Sequence, residues 1–190
     1  NKNISCFGPD YMKKAYLNST HEDILDKSGL SVKDLYWFNF EDEGWASLEN
    51  LIVTHFSYYE PWDPYRNYLM AKEKYALDEL SEAVVGTFTN FAQNDQELAS
   101  LHYYLMYLKF GFGRATQDAG IEIRRGALSR EQALNLVRLY DNQAPNTSYE
   151  RYADYYGISM DEFHLILDKF ANKDLFEKID GQWMPKFSLQ

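Results

Sequence analysis

The sequence predicts a mainly α-helical chain, in which a helical extension follows the C-terminal tail of an α/β domain. Two observations lead to this prediction. From Asp63 onward, helix-capping residues recur in front of apolar residues at helical spacing. Before that point, Leu51–Phe56 is apolar and β-branched, which is typical of one buried strand. We therefore expect residues 1–60 to be the tail of the α/β domain and residues 61–190 to be the helical C-terminal region.

The predicted strand raises the question of its pairing partner. A lone strand cannot satisfy its backbone groups, so it needs a neighbour either around Leu35–Phe40 or outside this chain. Because the chain opens on Asn1 rather than Met, we favour a partner outside it. Thr20–Asp23 predicts a short helix through Lys27 that ends near Gly29.

The helices of the C-terminal region are predicted from their starts. Ser129 and Ser159 each open a capping box, and Asp63-Pro64 is a cap followed by proline at the first helical position. Asn94–Glu97 and Thr147–Glu150 predict two further starts. The residues expected to face inward are Tyr65, Tyr68, Leu69, Leu98, Leu101, Leu105, Leu108, Ala133, Leu136, Val137, Tyr140, Tyr149, Tyr152, Ala153, Tyr156, Phe163, Ile166, Leu167 and Phe170.

Composition excludes several classes of protein. The 190 residues are 45% hydrophobic with 5 prolines, which suits a globular core rather than a disordered segment. The net charge of −10 opposes binding to nucleic acid or to anionic lipid. No apolar run approaches the roughly 20 residues of a membrane span. Cys6, the single cysteine, allows no internal disulfide, so a cytoplasmic location is expected.

Phe110–Thr116 is the compact glycine-containing turn of the sequence, between a helix ending near Lys109 and one expected over Ala115–Arg125. Gly111 and Gly113 allow the backbone to approach a ligand closely, and the next helix presents free N–H groups. Arg114 adds donors for a carboxylate or phosphate, and Thr116 adds a hydroxyl. The alternative is a tight interhelical turn in which Arg114 pairs with an acidic neighbour.

Other sites find little support. The four histidines are scattered without metal-ligand spacing, so no metal site is predicted. The sequence contains no phosphate-binding P-loop, no dinucleotide-binding glycine motif and no nucleophile elbow. Tyr149–Phe170 has the spacing of a helix-turn-helix, but Asp161 and Glu162 open its second helix and would repel DNA phosphates.

A long stretch of the chain matches a known pattern in order and spacing. Its centre is Tyr103–Ala119, and the other matching segments are Phe56–Asp63, Thr87–Phe91, Glu122–Gly126, Ser129–Ala133, Leu136-Val137, Tyr140-Asp141, Tyr156–Ser159, Glu162-Phe163 and Gly181–Trp183. Over about its last three quarters, the chain resembles the N-acetyl sugar amidotransferases of lipopolysaccharide and nonulosonic-acid biosynthesis.

The resemblance implies a synthetase of the ATP-pyrophosphatase type, whose nucleotide-binding domain would be the α/β domain. Such an enzyme activates the N-acetyl oxygen of a nucleotide-linked or free sugar with ATP and Mg²⁺. Ammonia from a glutaminase partner then displaces AMP and leaves an acetamidino sugar. The S-G-G-x-D-S loop that holds the nucleotide in that family does not occur within residues 1–190. We therefore expect this chain alone to bind no cofactor and to be inactive.

The resemblance also implies site residues, although no catalytic residue is assigned. Arg114 would bind an anionic group, which is a sugar carboxylate, a nucleotide diphosphate or the ATP phosphates. The expected hydrogen-bonding residues are Thr116, Asp118 and Asn90, while Trp62 would offer a stacking face. The turn Gly111–Asp118 would line the sugar or the interface with the nucleotide-binding domain. The alternative from another class is a non-catalytic acidic helical module that docks a basic protein.

Overall fold

The structure, a computed structural model, describes residues 21–34, 36 and 54–189, and the chain divides into two compact units, Asn1–Trp62 and Asp63–Gln190. In the first unit, helix α1 spans His21–Ser28, and Gly29 follows it with a φ of +67°. This confirms the short helix predicted there. The assignment of residues 1–60 to an α/β domain stays a prediction.

The described end of the strand predicted over Leu51–Phe56 is not a strand. Thr54 and His55 belong to no regular element, and a 3-10 helix begins at Phe56 and ends at Tyr58. The Tyr58 and Tyr59 amides donate to the carbonyls of His55 and Phe56, which is the hydrogen-bond pattern of a 3-10 turn. Residues 51–53 lie outside the described residues, as do Cys6 and all of Leu35–Phe40 except Tyr36.

The described part of the second unit is mainly α-helical, which confirms the predicted fold class. Its elements are α2 (Pro64–Tyr75), α3 (Ala99–Phe110), α4 (Arg114–Arg124), α5 (Arg130–Tyr140), α6 (Tyr149–Tyr156), α7 (Met160–Phe170), β1 (Phe176–Ile179) and β2 (Gln182–Pro185). A 3-10 turn over Asn146–Ser148 leads into α6. The two strands form an antiparallel hairpin that was not predicted.

Three of the predicted helix caps are present. Ser129 and Ser159 form complete capping boxes with Gln132 and Glu162, respectively. The Asp63 carboxylate accepts the Arg66 N–H at 2.9 Å in front of Pro64. These caps depend on residues three apart, so sequence spacing alone identifies them.

One predicted helix start is wrong, and another lies where it was predicted but has no side-chain cap. Helix α3 begins at Ala99 rather than near Asn94, because the Asn94 amide donates to the Asp78 carbonyl across a loop. Helix α6 begins at Tyr149 without a side-chain cap, since the preceding 3-10 turn already orders its entry. Both helices nevertheless exist where the periodic pattern predicted them.

The main core of the second unit surrounds α3, which packs against α6, α7 and the hairpin. Leu108 and Phe176 are fully buried at its centre, and the rings of Tyr107 and Phe176 meet edge to face at 5.0 Å. Its buried members are Leu101, Tyr104, Tyr107, Leu108, Tyr149, Tyr152, Ala153, Phe163, Leu167, Ala171 and Phe176. A smaller core joins α4 to α5 through Ala119, Ala133 and Val137.

Several residues predicted to face inward are exposed. Ile166 and Phe170 lie on the flank of α7 because Phe163 and Leu167, one turn apart, make its core contact. Tyr156 is likewise exposed at the end of α6, where Tyr152 and Ala153 face the core. Tyr65 and Leu69 are exposed beside the buried Tyr68 on α2. On these helices, fewer residues are buried than the apolar spacing of the sequence predicted.

The hairpin depends on a tight turn at Asp180-Gly181. Both residues have positive φ angles, 48° and 82°, as a two-residue type I′ turn requires. The register places Lys178 directly opposite Trp183, so both side chains share one face with the buried Phe176. An Asp-Gly pair is a strong hairpin signal, and it was available in the sequence.

Candidate functional site

The predicted glycine turn connects α3 to α4. Gly111 ends α3 in the left-handed conformation with a φ of +79°, and its N–H donates to the Tyr107 carbonyl at 2.8 Å. A Cβ at Gly111 would approach Leu175 Cδ1 to 3.1 Å, so the turn is packed closely against the chain that leads into β1. Gly113 then occupies the N-cap position of α4.

The start of α4 is capped by Asp141, which follows α5 directly. Its buried carboxylate accepts the Gly113 N–H at 2.8 Å, the Thr116 N–H at 3.0 Å and the Thr116 hydroxyl at 2.5 Å. The Ala115 N–H donates to the Gly86 carbonyl at 3.0 Å. An anion was predicted at this helix start, and a carboxylate from the protein itself occupies the position.

Beside this cap lies a group of four residues, Thr87, Tyr103, Arg114 and Asp118, which we call the Arg114 cluster. Asp118 is buried, and its two carboxylate oxygens accept the Arg114 Nε–H at 2.9 Å and the Thr87 hydroxyl at 2.6 Å. The Arg114 guanidinium carbon lies 5.7 Å from the centre of the Tyr103 ring. Two independent contacts therefore hold the Arg114 side chain in place.

The guanidinium of Arg114 is only partly used. Its Nε donates to Asp118, while within residues 54–189 neither terminal nitrogen has a hydrogen-bond partner. The side chain as a whole is 28% exposed, so it is partly open to solvent. Pairing with an acidic neighbour was the alternative to ligand binding in the sequence, and the structure shows that such pairing leaves the terminal nitrogens available.

Tyr103 is the aromatic member of the cluster. Its hydroxyl is buried and, in the part of the chain that the structure describes, has no hydrogen-bond partner. Burial raises the pKa of this hydroxyl above its usual value, and the nearby Asp118 carboxylate adds to the shift while Arg114 opposes it. Gly86 lies against the ring side, where an added Cβ would come within 3.0 Å of Tyr103 Cβ.

The structure brings together only some of the residues that the sequence selected. Arg114 and Asp118 are in contact, whereas the Thr116 hydroxyl is engaged by Asp141. The Asn90 amide donates to the Leu80 carbonyl at 2.8 Å and so ties down the loop between α2 and α3. Trp62 lies in the first unit and is 58% exposed. Their roles toward a ligand stay predictions.

The described residues do not fit a magnesium–nucleotide site. Within residues 21–34, 36 and 54–189, no three His, Cys, Asp or Glu side chains are grouped as a metal ion would require. The start of α4 was predicted to offer free N–H groups to an anion, but the Asp141 carboxylate accepts hydrogen bonds from them instead. A phosphate there would meet like charge.

Sequence reasoning missed Thr87, Tyr103 and Asp141 as members of the site. Asp141 lies 28 residues from Gly113, and Thr87 lies 31 residues from Asp118. No local spacing rule connects residues so far apart. The signal that was available for Asp141 was its position directly after the last residue of α5.

Comparison with known proteins gives one family. The family described as "LPS biosynthesis protein WbpG-like, C-terminal domain" matches residues 85–188, which contain α3 to α7, the hairpin and the whole Arg114 cluster. The chain belongs to this family, and the match supports a role in lipopolysaccharide biosynthesis. No curated protein matches the chain at a significant level. None of the helices in the described ranges combines the length and the apolar character needed to cross a membrane.

Proposed function

Since the chain belongs to this lipopolysaccharide biosynthesis family, we propose that it is part of an ATP-dependent amidotransferase. The enzyme would convert the acetamido group of a bacterial surface sugar into an acetamidino group, with ammonia supplied by a glutaminase partner. The family match supports a biosynthetic enzyme, and the resemblance of Tyr103–Ala119 to amidotransferases supports the reaction. The observation that carries the role of this chain is the free end of Arg114.

Arg114 is suited to hold an anionic group of the substrate. Its guanidinium presents two terminal nitrogens in a fixed plane, which matches two oxygens of a carboxylate or phosphate. The contacts to Asp118 and Tyr103 fix the side chain before a ligand arrives, so little conformational entropy is lost on binding. A sugar carboxylate and a diphosphate linkage are the two anions that such a substrate offers.

The neighbouring carboxylates position groups rather than transfer protons. Asp118 accepts from Arg114 and Thr87, and Asp141 accepts from Gly113 and Thr116. Both carboxylates are buried and hydrogen-bonded, so neither is presented to a substrate as a general base. We therefore assign substrate binding and orientation to this chain, and no step of the ATP chemistry to its described residues.

The test is substitution of Arg114 in the full-length enzyme, assayed with its glutaminase. Loss of a charge-assisted hydrogen-bond pair costs about 1.5–3 kcal/mol, so Arg114→Ala should lower kcat/KM roughly 10-fold to 150-fold, mainly through KM. Arg114→Lys should recover part of this loss, because lysine keeps the positive charge but lacks the planar pair of terminal nitrogens. Unchanged kcat/KM in Arg114→Ala would exclude the anion-binding role.

Arg124→Ala is the matched control, since Arg124 is an exposed arginine at the other end of the same helix. It should leave kcat/KM as in the wild type. Isothermal titration separates the proposal from the acidic interaction module. Binding of an N-acetyl sugar substrate supports the enzyme, whereas binding of a basic protein without any response to sugar or ATP supports the module.

A further inference from the structure

A cleft lies between α7, the loop before α6 and the hairpin. Its volume is about 350 Å³, and it shares no residue with the Arg114 cluster. This volume is at the lower end of the range for small-molecule sites. Neither the sequence patterns nor the family description assigns a role to the cleft.

One wall of the cleft consists of an ion pair, Lys178–Asp168, and the indole ring of Trp183. The Lys178 ammonium donates to both carboxylate oxygens of Asp168, at 2.7 and 2.8 Å. The Trp183 indole N–H donates to the same carboxylate at 3.0 Å, and the Lys178 ammonium lies 5.7 Å from the indole ring centre. These contacts fix the indole plane at the cleft and leave the wall without net charge.

Two buried tyrosines, Tyr104 and Tyr149, line the part of the cleft that we call its floor. Burial raises the pKa of both hydroxyls above the usual value, and the neighbouring Tyr104 raises that of Tyr149 further. Both groups are therefore uncharged at neutral pH. The floor adds polar groups but no charge.

Four further polar side chains line the part of the cleft that we call its rim, namely Asn142, Asn146, His164 and Gln182. In the part of the chain that the structure describes, the amides of Asn142, Asn146 and Gln182 have no hydrogen-bond partner. The Nδ1 of His164 lies 2.8 Å from the Met160 carbonyl, which can only accept, so Nδ1 carries the proton. The other ring nitrogen of His164 is left available to a ligand.

We propose that this cleft binds an uncharged pyranose ring. Three amides and one imidazole offer both donors and acceptors, which hydroxyls arranged around a sugar ring can satisfy. The indole of Trp183 offers a flat apolar surface for the C–H face of the ring. Because Lys178 is neutralised by Asp168, an anion finds no free cation here. The proposal does not depend on amidotransferase activity.

Fluorine NMR of the full-length protein labelled with fluorotryptophan tests this proposal, with N-acetylglucosamine as the probe. The Trp183 signal is identified by its loss in Trp183→Phe. We expect this signal to shift saturably with the sugar while the Trp62 signal stays in place. Inorganic phosphate should leave the Trp183 signal unchanged. No saturable shift, or an equal shift with phosphate, would overturn the proposal.

Variants at exposed rim residues test the proposal without removing a buried side chain. Asn142 and Asn146 are exposed, so the double variant Asn142→Ala/Asn146→Ala should fold normally. Loss of hydrogen bonds worth about 1–1.5 kcal/mol should weaken sugar binding roughly fivefold to tenfold. Asn135→Ala, an exposed asparagine on α5 outside the cleft, should bind as the wild type does. Wild-type affinity in the double variant would contradict the assignment. The measurement needs no ATP or glutamine, so its outcome is separate from that of the activity assay.

Discussion

The Asp141 carboxylate accepts the Gly113 N–H at 2.8 Å and thereby caps helix α4 from the end of α5. Its bonds to the Thr116 N–H and hydroxyl complete the cap. An N-cap usually comes from the residue at the cap position, but Gly113 has no side chain to offer. The long-range carboxylate therefore joins α4 to α5 and sets the position of the helix that carries Arg114 and Asp118.

Removal of this cap should destabilise the protein. Asp141→Ala leaves the Gly113 and Thr116 donors without their partner, and we expect the free energy of unfolding to fall by about 2–4 kcal/mol. Asp141→Asn retains one accepting oxygen and should lose about half as much. Urea denaturation measures both changes, and Asp154→Ala, an exposed aspartate on α6, is the control. Equal stability of Asp141→Ala and Asp154→Ala would contradict the role of the cap.

Two glycines associated with α4 should respond to alanine in opposite directions. A Cβ at Gly113 would lie 2.8 Å from the Asp141 carboxylate, so Gly113→Ala should destabilise by about 1–3 kcal/mol. Gly120 lies inside α4, where a Cβ meets only the flexible end of Arg124 at 3.3 Å. Gly120→Ala should therefore stabilise by about 0.5–1 kcal/mol. Thermal unfolding shows the sign of each change, and a shared sign would refute the steric argument.

The buried hydroxyl of Thr87 should be needed for the Arg114 cluster. Thr87→Val keeps the shape but removes the donor to Asp118, so we expect a loss of about 1–3 kcal/mol in unfolding free energy. Thr87→Ser keeps the donor and should lose less. Urea denaturation of the two variants gives the comparison. The hydrogen bond would be unimportant if valine and serine had the same effect.

Ionisation of Tyr107 should weaken the fold at alkaline pH. Burial, with a smaller effect of the Asp141 carboxylate, raises the pKa of Tyr107 from its ordinary value of 10.0 to about 12. A raised folded-state pKa gives stability that is present below pH 10 and is lost as the pH rises toward 12. Tyr107→Phe should make the decline of the melting temperature across this window shallower. Identical slopes for the variant and the wild type would rule out this contribution.

The fold was largely predictable, because apolar periodicity and capping residues mark most of its helices within a few residues of sequence. The capping boxes at Ser129 and Ser159 and the cap at Asp63 involve residues three apart. The hairpin was equally local, since Asp180-Gly181 has the φ angles of its turn, but it was not predicted. Apolar periodicity did not predict which apolar residues of a helix are buried. Neighbouring elements decide that, and they leave Ile166 and Phe170 exposed.

The candidate site was predictable in part. The glycine turn drew attention to Arg114, and the family resemblance drew attention to Asp118. Their spacing of four residues on one helix is consistent with the contact between them. The sequence did not indicate that Thr87 completes the hydrogen bonding of Asp118 or that the Tyr103 ring lies beside the guanidinium. Those contacts depend on how the loop after α2 meets α3 and α4.

Local sequence patterns were enough to predict that the second unit consists of short helices, three of them with side-chain caps, and that Arg114 follows a glycine turn. Periodicity and capping act over a few residues, so they can be read without a tertiary structure. Tertiary structure alone decided that Asp141, and not a bound phosphate, occupies the start of α4. It also decided that Asp168, Lys178 and Trp183 meet at one cleft. The physical reason is that a buried carboxylate must find its donors wherever the packed helices bring them, at any distance along the chain.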